Sequence, residues 1–293
     1  MSAEVSADLS LAAVRLVPSQ RWWQRVLRSR NLIIGATVLG MLVLVALLAP
    51  LISPSDPLAQ DYSAATQPPS LAHPFGTDEF GRDILSRVIY GTRIDLQVGI
   101  ISVISPFVVG ILLGALAAYY GGWIDTLIMR LVDVVQGFPF IVLIVAIVAA
   151  LGPGLTNMYI AVAIIAWVVY ARLIRSEILV EKEKEYVTAA RAVGGNDWRV
   201  ILHHIVPNTI TTCVVFAMAD IALYILLAAS LSFLGLGAQP PSPEWGAMIT
   251  EGQNFMTTAW WMSALPGLAI IVTGVALSFL GDGLADILRP EWR

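Results

Sequence analysis

Charged residues are scarce in this chain, and the scarcity defines its class. Only 13% of the 293 residues are Asp, Glu, Lys or Arg, whereas a soluble domain carries roughly 25%. Hydrophobic residues make up 57% of the sequence and form several stretches as long as the ~20 residues that a membrane-spanning helix needs. These stretches are too long for the strands of a membrane barrel. The composition therefore predicts an all-α, polytopic membrane helical bundle.

Residues that perform chemistry are also few. The single cysteine, Cys213, lies in an apolar run, which excludes an internal disulfide and favours a small core residue. The sequence has no Gly-x-x-x-x-Gly-Lys-Ser/Thr phosphate loop, and its three histidines show no convincing metal-binding spacing. No nucleophile–base pair is evident. We therefore predict no catalytic residue, no metal and no cofactor in this chain, and no nucleic-acid partner.

Six hydrophobic stretches predict six membrane-spanning helices. They cover residues 32–52, 94–119, 126–150, 155–175, 208–236 and 263–287. The first stretch follows a basic flank and ends at Ala49-Pro50, a poor cleavage site, so we expect an uncleaved span rather than a signal peptide. Residues 1–31 form the predicted N-terminal segment, in which Trp22 and Trp23 indicate a short helix lying along the membrane interface.

The distribution of basic residues predicts the orientation of these spans. All but three of the 17 Lys and Arg residues fall on the same side as the N-terminus. The exceptions are Arg82, Arg87 and Arg93. Because Lys and Arg accumulate in cytoplasmic loops, both termini and the 176–207 loop are predicted to be cytoplasmic. The 53–93 and 237–262 segments are then extracytoplasmic, and residues 94–288 form a core of five helices with that loop.

The polar segment 176–207 has a helical pattern although it lies between two hydrophobic stretches. Residues 176–193 contain no helix breaker, which predicts one unbroken helix. We expect Gly194 to end it in the left-handed conformation, Asn196 to cap a second short helix, and Asp197 to lie near that helix's positive end. A helical, partly apolar loop in water indicates docking of a partner. Packing of this helix on its own bundle is the alternative.

One face of the predicted helix is small and apolar. Tyr186, Ala189, Ala190 and Val193 stand at i, i+3, i+4 and i+7, and therefore share a face that suits close approach by another surface. The predicted docking residues are this face and its polar surroundings: Glu185, Tyr186, Ala189, Ala190, Val193, Gly194 and Asp197.

One ionisable residue lies deep within a predicted span. Asp220 occupies the middle of 208–236, and an acid at that depth indicates either a polar path for a solute or a helix–helix hydrogen bond. A proton-coupled transporter usually has more such groups, so it stays an alternative here.

Three segments resemble the permease subunits of ABC transporters. Thr188-Ala189-Ala190-x-x-x-Gly194, closed by Ile205-Val206-Pro207-Asn208, is similar to the EAA loop of that family. HPFGTDEFGRDILSRVIYGTRIDLQVG at 73–99 and LSFLGLGAQPPSPEWGAMI at 231–249 resemble the second permease of the dipeptide, oligopeptide and nickel import branch.

Two positions depart from the family pattern. Thr188 stands where the loop motif has Glu, and Glu185, one turn earlier, is the candidate for the acidic role. Ala228 stands where many relatives carry a Glu.

The resemblance covers nearly the whole chain and implies a transport subunit. It implies the fold of a type I ABC-importer transmembrane domain, in a prokaryotic plasma (inner) membrane. The implied partners are a second homologous permease, one or two ATP-binding cassette ATPases that receive the 176–207 loop and hydrolyse ATP, and an extracytoplasmic substrate-binding protein. In order of preference, the implied cargo is a dipeptide, a longer peptide or nickel. A proton-coupled peptide symporter and a channel or scaffold protein are the alternatives.

Overall fold

A computed structural model describes Val26 and residues 28–288. The predicted interfacial helix around Trp22 and Trp23 lies outside these residues. The described part is almost entirely helical. Its helices are α1 (Arg30–Ile52), α2 (Ile84–Tyr120), α3 (Gly122–Gln136), α4 (Phe140–Leu151), α5 (Leu155–Ile165), α6 (Trp167–Glu181), α7 (Glu185–Ala192), α8 (Val206–Phe233), α9 (Trp245–Gly252) and α10 (Trp261–Leu288), with short 3-10 turns at Tyr62–Ala64 and Gln253–Phe255.

Five helical segments are long and apolar enough to cross a membrane: α1, α2, α5 with α6, residues 197–233, and α10. The pair α3 and α4 adds a sixth if it forms one span, although the two helices meet at 85°. Pro139 lies at this break as the N-cap of α4, and a proline cannot continue the hydrogen bonding of α3. The predicted membrane helical bundle is therefore confirmed, with five spans, or six when α3 and α4 are counted as one broken span.

The connections between the spans gather at two ends of the bundle. Residues 185–199, here called the platform, lie beside the end of α2, because the Tyr119 hydroxyl donates to Asp197. Residues 53–83 and 237–260, here called the cap, lie at the opposite end. The two ends are thus separated by the length of the spanning helices.

Glycines set the distance between α2 and α6. A Cβ added at Gly110 would lie 2.5 Å from the carbonyl oxygen of Trp167, and one at Gly114 would collide with that of Ala171. The Gly-x-x-x-Gly spacing is the pattern that lets membrane helices approach closely. This contact fixes α6, and with it Tyr170, inside the bundle.

Two helix boundaries differ from the sequence prediction. The helix α2 begins at Ile84 rather than near 94, because the Asp83 side chain caps it by accepting from the Ser86 backbone N–H. The predicted unbroken helix 176–193 is wrong, since α6 ends at Glu181 and α7 begins at Glu185. The Lys182 ammonium in the intervening turn donates to the carbonyl of Ala118 at 2.9 Å, a tertiary contact that the local sequence does not reveal.

The predicted short helix after Asn196 is not separate from the fifth span. A helical turn at Asp197–Arg199 and a π-helical segment at Val200–Ile205 lead directly into α8, which has Pro207 in its first turn. Residues 197–233 therefore form one continuous helical rod from the platform into the bundle.

Candidate functional site

The platform is anchored to the bundle by its inner face. Val187 is fully buried in the main apolar core. The Tyr186 hydroxyl lies 2.8 Å from Oε1 of Glu181 and accepts from Nδ2 of Asn208 at 3.2 Å. Partial burial, and then the hydrogen bond to Glu181, raises the pKa of Tyr186 above its ordinary value. These contacts connect α7 to the ends of both α6 and α8.

A second anchor joins the platform to α2. The Tyr119 hydroxyl donates to Oδ1 of Asp197 at 2.8 Å, and the Arg191 guanidinium stacks over the Tyr119 ring at 4.9 Å from its centroid. A guanidinium over an aromatic face is attracted by the ring quadrupole. The platform therefore contacts three spanning segments and cannot tilt without affecting them.

The outer tip of the platform is apolar and exposed. Val193 is 86% exposed and Trp198 is 52% exposed. Gly194 between them has φ +84°, the left-handed conformation that the sequence predicts. The Asn196 side chain accepts from the Arg199 backbone N–H at 2.8 Å, as its predicted capping role requires. The tip is thus a fixed turn that presents two large apolar side chains to its surroundings.

The predicted docking face is divided by the structure. Tyr186 and Ala190 pack against the core, whereas Ala189 and Val193 are exposed. Glu185, Gly194 and Asp197 are exposed as well. Sequence reasoning missed Val187 as the buried anchor and Trp198 at the tip. A tryptophan two residues after a helix cap in a polar loop was the available signal for Trp198.

Asp220 borders a partly open cavity of about 390 Å³ at the side of the bundle. Its side chain is buried, and Oδ2 accepts from the Tyr170 hydroxyl at 2.6 Å. The Tyr170 ring is itself held edge-to-face by Phe107 and Phe216, each with a centroid separation of 5.6 Å. Both predicted readings of Asp220 therefore meet here, since the acid makes a helix–helix hydrogen bond and also faces an open space.

The cap contains a buried ionic cluster that sequence reasoning missed. Arg82 and Arg87 are at most 2% exposed, and each places its Nη2 2.9 Å from Oε2 of Glu251. Asp78 completes the cluster, 2.5 Å from Arg82 Nε and 3.5 Å from Arg87 Nη1. Burial, and then the Glu251 and Asp78 carboxylates, raises the pKa of the neighbouring Glu79. The cluster fastens the 73–83 loop to α9.

The two motif stretches 73–99 and 231–249 meet in space at the cap. The Trp245 backbone N–H donates to Oδ2 of Asp95, and its indole N–H donates to the carbonyl of Val88, both at 3.1 Å. Glu244, fully buried, caps α9 by accepting from two backbone N–H groups and also accepts from the Ser232 hydroxyl. These stretches thus specify one rigid cap.

The chain is similar to permeases along almost its whole length. Residues 110–293 match the family described as binding-protein-dependent transport system inner membrane component, and residues 18–69 match the N-terminal TM domain of oligopeptide transport permease C. The glutathione transport system permease protein GsiD of Pectobacterium atrosepticum is 44% identical over 275 residues, which cover 94% of this chain and 91% of the relative.

Two further relatives and one solved structure agree with these matches. The dipeptide transport system permease protein DppC of Alkalihalophilus pseudofirmus is 41% identical, with 94% of this chain and 91% of the relative covered. The probable D,D-dipeptide transport system permease protein DdpC of Escherichia coli K12 is 42% identical, with 88% and 86% covered. The inward-facing MetNI methionine ABC transporter has a similar fold, with a TM-score of 0.54, 20% identity, and coverage of 72% of this chain and 97% of that chain.

Proposed function

Because the chain belongs to the family of binding-protein-dependent transport system inner membrane components, we propose that it forms one of two permease subunits in an ATP-driven importer of short peptides. It is a multi-pass inner-membrane protein. The names of its relatives, which concern glutathione, dipeptides and D,D-dipeptides, support a peptide cargo rather than nickel. Family membership also favours this importer over a proton-coupled symporter.

The proposed orientation places the platform in the cytoplasm and the cap outside. The excess of Lys and Arg on the platform side supports this orientation. In this arrangement the cap receives the cargo-loaded binding protein. The buried ionic cluster makes the cap rigid, which suits a surface through which binding of that protein must affect the spanning helices. A second, homologous permease completes the path through the membrane.

The exposed apolar tip of the platform is the observation that carries the proposal. The tip exposes Val193 and Trp198 to water, whereas Val187 is buried. Entry of the tip into a groove on another protein would remove this apolar surface from water and so stabilise the platform. That protein is the ATP-binding cassette ATPase, whose movements on ATP binding reach the bundle through the contacts of Tyr186 and Asp197. ATP hydrolysis then takes place on separate subunits.

Gly194→Asp tests the docking role. The substitution forces a side chain into the left-handed conformation and adds a carboxylate to the tip, where nothing lies within 4 Å of the new Cβ. An unpaired charge buried in an interface costs about 2 kcal/mol or more. We expect at least about tenfold less ATPase to co-purify with the variant, and peptide uptake in proteoliposomes to fall accordingly.

Gly235→Asp is the matched control for this experiment. Gly235 has φ +76° and lies in the turn after α8, away from the platform, and a Cβ added there would also meet nothing within 4 Å. The control should therefore retain the ATPase while it carries the same backbone strain. Normal ATPase binding and uptake in Gly194→Asp would contradict the docking assignment.

A further inference from the structure

A carboxylate without a cationic partner lies in the middle of a membrane-spanning helix. Asp220 is the fifteenth of the 28 residues of α8, which places it about 20 Å from either end of the helix. Within the part of the chain that the structure describes, no Lys, Arg or His forms an ion pair with it. A charge at this depth is costly unless a partner neutralises it. Asp220 therefore has no counter-charge within the described chain, and a bound cationic molecule could supply one.

The contacts of Asp220 leave acceptor capacity unused. A carboxylate offers about four acceptor positions on its two oxygens. The Tyr170 hydroxyl occupies one of them at 2.6 Å, and Tyr224 lines the same cavity beside the acid. The Tyr170 phenol holds the carboxylate in place without neutralising it. An N–H donor that carries a positive charge fits this arrangement better than a neutral one.

The cavity beside Asp220 is built from broken helices. The α3–α4 break contributes Gln136, Phe138 and Phe140, and the α5–α6 junction contributes Ala166. Non-helical backbone at membrane depth is tolerated where it is covered by protein or lines a water-filled space, but not against lipid. Gln136 and Phe138 are exposed in the isolated chain. This side of the bundle therefore faces the path or a partner subunit.

The size and lining of the cavity suit part of a small amphipathic solute. Its volume of about 390 Å³ lies within the ~300–1,000 Å³ of ligand pockets in general. The rings of Phe138, Phe140, Phe216 and Tyr224 line it, and no basic residue does among the described lining residues. Aromatic faces attract a cation in addition to covering apolar groups.

We propose that Asp220 binds the protonated amino group of the cargo as the cargo crosses the membrane, with the surrounding aromatic rings covering its apolar side chain. The proposal rests on the proposed function as a peptide permease and deepens it, because it makes the permease select for a free amino group. Asp220 is a binding residue in this role, and Tyr170 is a positioning residue.

The test compares two cargoes in the complete transporter, reconstituted in proteoliposomes with its binding protein. One is a dipeptide, and the other is its analogue in which hydrogen replaces the amino group. Both are supplied at concentrations that fill the binding protein equally, as verified by calorimetry. We expect the wild type to transport the dipeptide about tenfold faster than the analogue, as for a lost charged hydrogen bond. Asp220→Asn should reduce this ratio to about one.

Two matched variants separate the amino-group contact from helix packing. Asp220→Glu keeps the charge and should retain part of the preference. Tyr170→Phe removes the hydrogen bond but keeps the carboxylate, so it should retain most of the preference even if the overall rate falls. A wild-type ratio near one, or an Asp220→Asn variant that slows both cargoes equally, would overturn the proposal. If Asp220→Asn fails to assemble, the wild-type ratio and Asp220→Glu decide.

ATPase activity in the same vesicles distinguishes this proposal from the proposed function. Stimulation of ATP hydrolysis by the loaded binding protein is expected in the wild type. If the wild type shows none, the peptide-importer assignment fails. If stimulation is normal and the cargo ratio is near one, only the role of Asp220 fails.

A cysteine at the cavity tests whether it is open to water in the assembled transporter. Leu223 lines the cavity and is 48% exposed, and the buried Cys213 can be replaced by Ala to give a cysteine-free background. We expect Leu223→Cys to react with a small water-soluble thiol reagent. Absence of labelling together with cross-linking to the second permease would show that the partner fills the cavity, and would overturn the proposal.

Discussion

The cap and the platform lie at opposite ends of the same helices, yet they are held in different ways. In the cap, Arg82 and Arg87 reach Glu251 across 169 and 164 residues of sequence, and all three side chains are largely buried. The platform depends on one buried apolar side chain, Val187, and on hydrogen bonds at its edges, such as those of Tyr186. The cap is therefore a rigid unit, whereas the platform is a small element whose position follows the helices that it contacts.

Removing the shared acid of the cap should have the largest effect on stability. Glu251→Ala leaves two buried guanidinium groups with Asp78 as their remaining ion-pair partner in the cluster. Truncating one partner of a buried ion pair costs about 3–5 kcal/mol, so we expect a much lower melting temperature in detergent. Glu183→Ala, which removes an exposed acid beside the platform, should change stability by less than about 0.5 kcal/mol. Equal melting temperatures would show that the cap does not depend on this cluster.

Loosening the platform should affect coupling more than stability. Tyr186→Phe removes the hydroxyl that contacts Glu181 and Asn208, at a cost of about 1 kcal/mol. We expect faster hydrogen exchange in 185–199, unchanged exchange in the cap, and fewer peptides imported per ATP hydrolysed. Tyr62→Phe, at an exposed cap position, is the control and should alter neither quantity. Unchanged exchange in the platform would contradict the anchoring role of Tyr186.

The smallest effect on stability is expected from replacing Glu79, a partly buried acid of the cap. The raised pKa of Glu79 means that its folded state binds a proton more readily than its unfolded state, so its favourable contribution is present at low pH and is lost as pH rises through the folded pKa. Glu79→Gln cannot ionise, so the variant does not lose this stability as the pH rises. We expect an apparent melting temperature about 1–2 °C higher than wild type at neutral pH, with the difference shrinking on acidification. A variant that melts lower at neutral pH would show that the Glu79 charge stabilises the cap.

Local sequence signals predicted the features that depend on local physics. The predicted span 263–287 corresponds to the helix Trp261–Leu288, because the length of an apolar stretch is enough to predict a span. Gly194 adopts the left-handed conformation and Asn196 caps the next turn, since both preferences belong to the residues themselves. The docking role assigned to the platform residues stays a prediction.

Features created by distant contacts could not be predicted in this way. The contact of Arg87, in the first turn of α2, with Glu251 joins residues 164 positions apart, and the break before α7 coincides with a hydrogen bond from Lys182 to α2. The cavity beside Asp220 needs the α3–α4 break, the α5–α6 junction and α8 together. No single stretch of sequence contains the information for such an arrangement, although Asp220 itself was visible as a charge in an apolar segment.

The continuous helical rod formed by residues 197–233 is long enough for a small rotation at one end to become a large displacement further along it. It begins at Asp197, which Tyr119 holds at the platform, and it carries Asp220 without an intervening break. The two residues are separated by about 35 Å along the axis, and a rotation of about 10° at the platform would move the carboxylate by about 6 Å. If, as proposed, an ATPase docks at the platform and Asp220 binds the cargo, a small movement of the ATPase would produce a larger displacement at Asp220, so that binding and release of the amino group would follow the same movement.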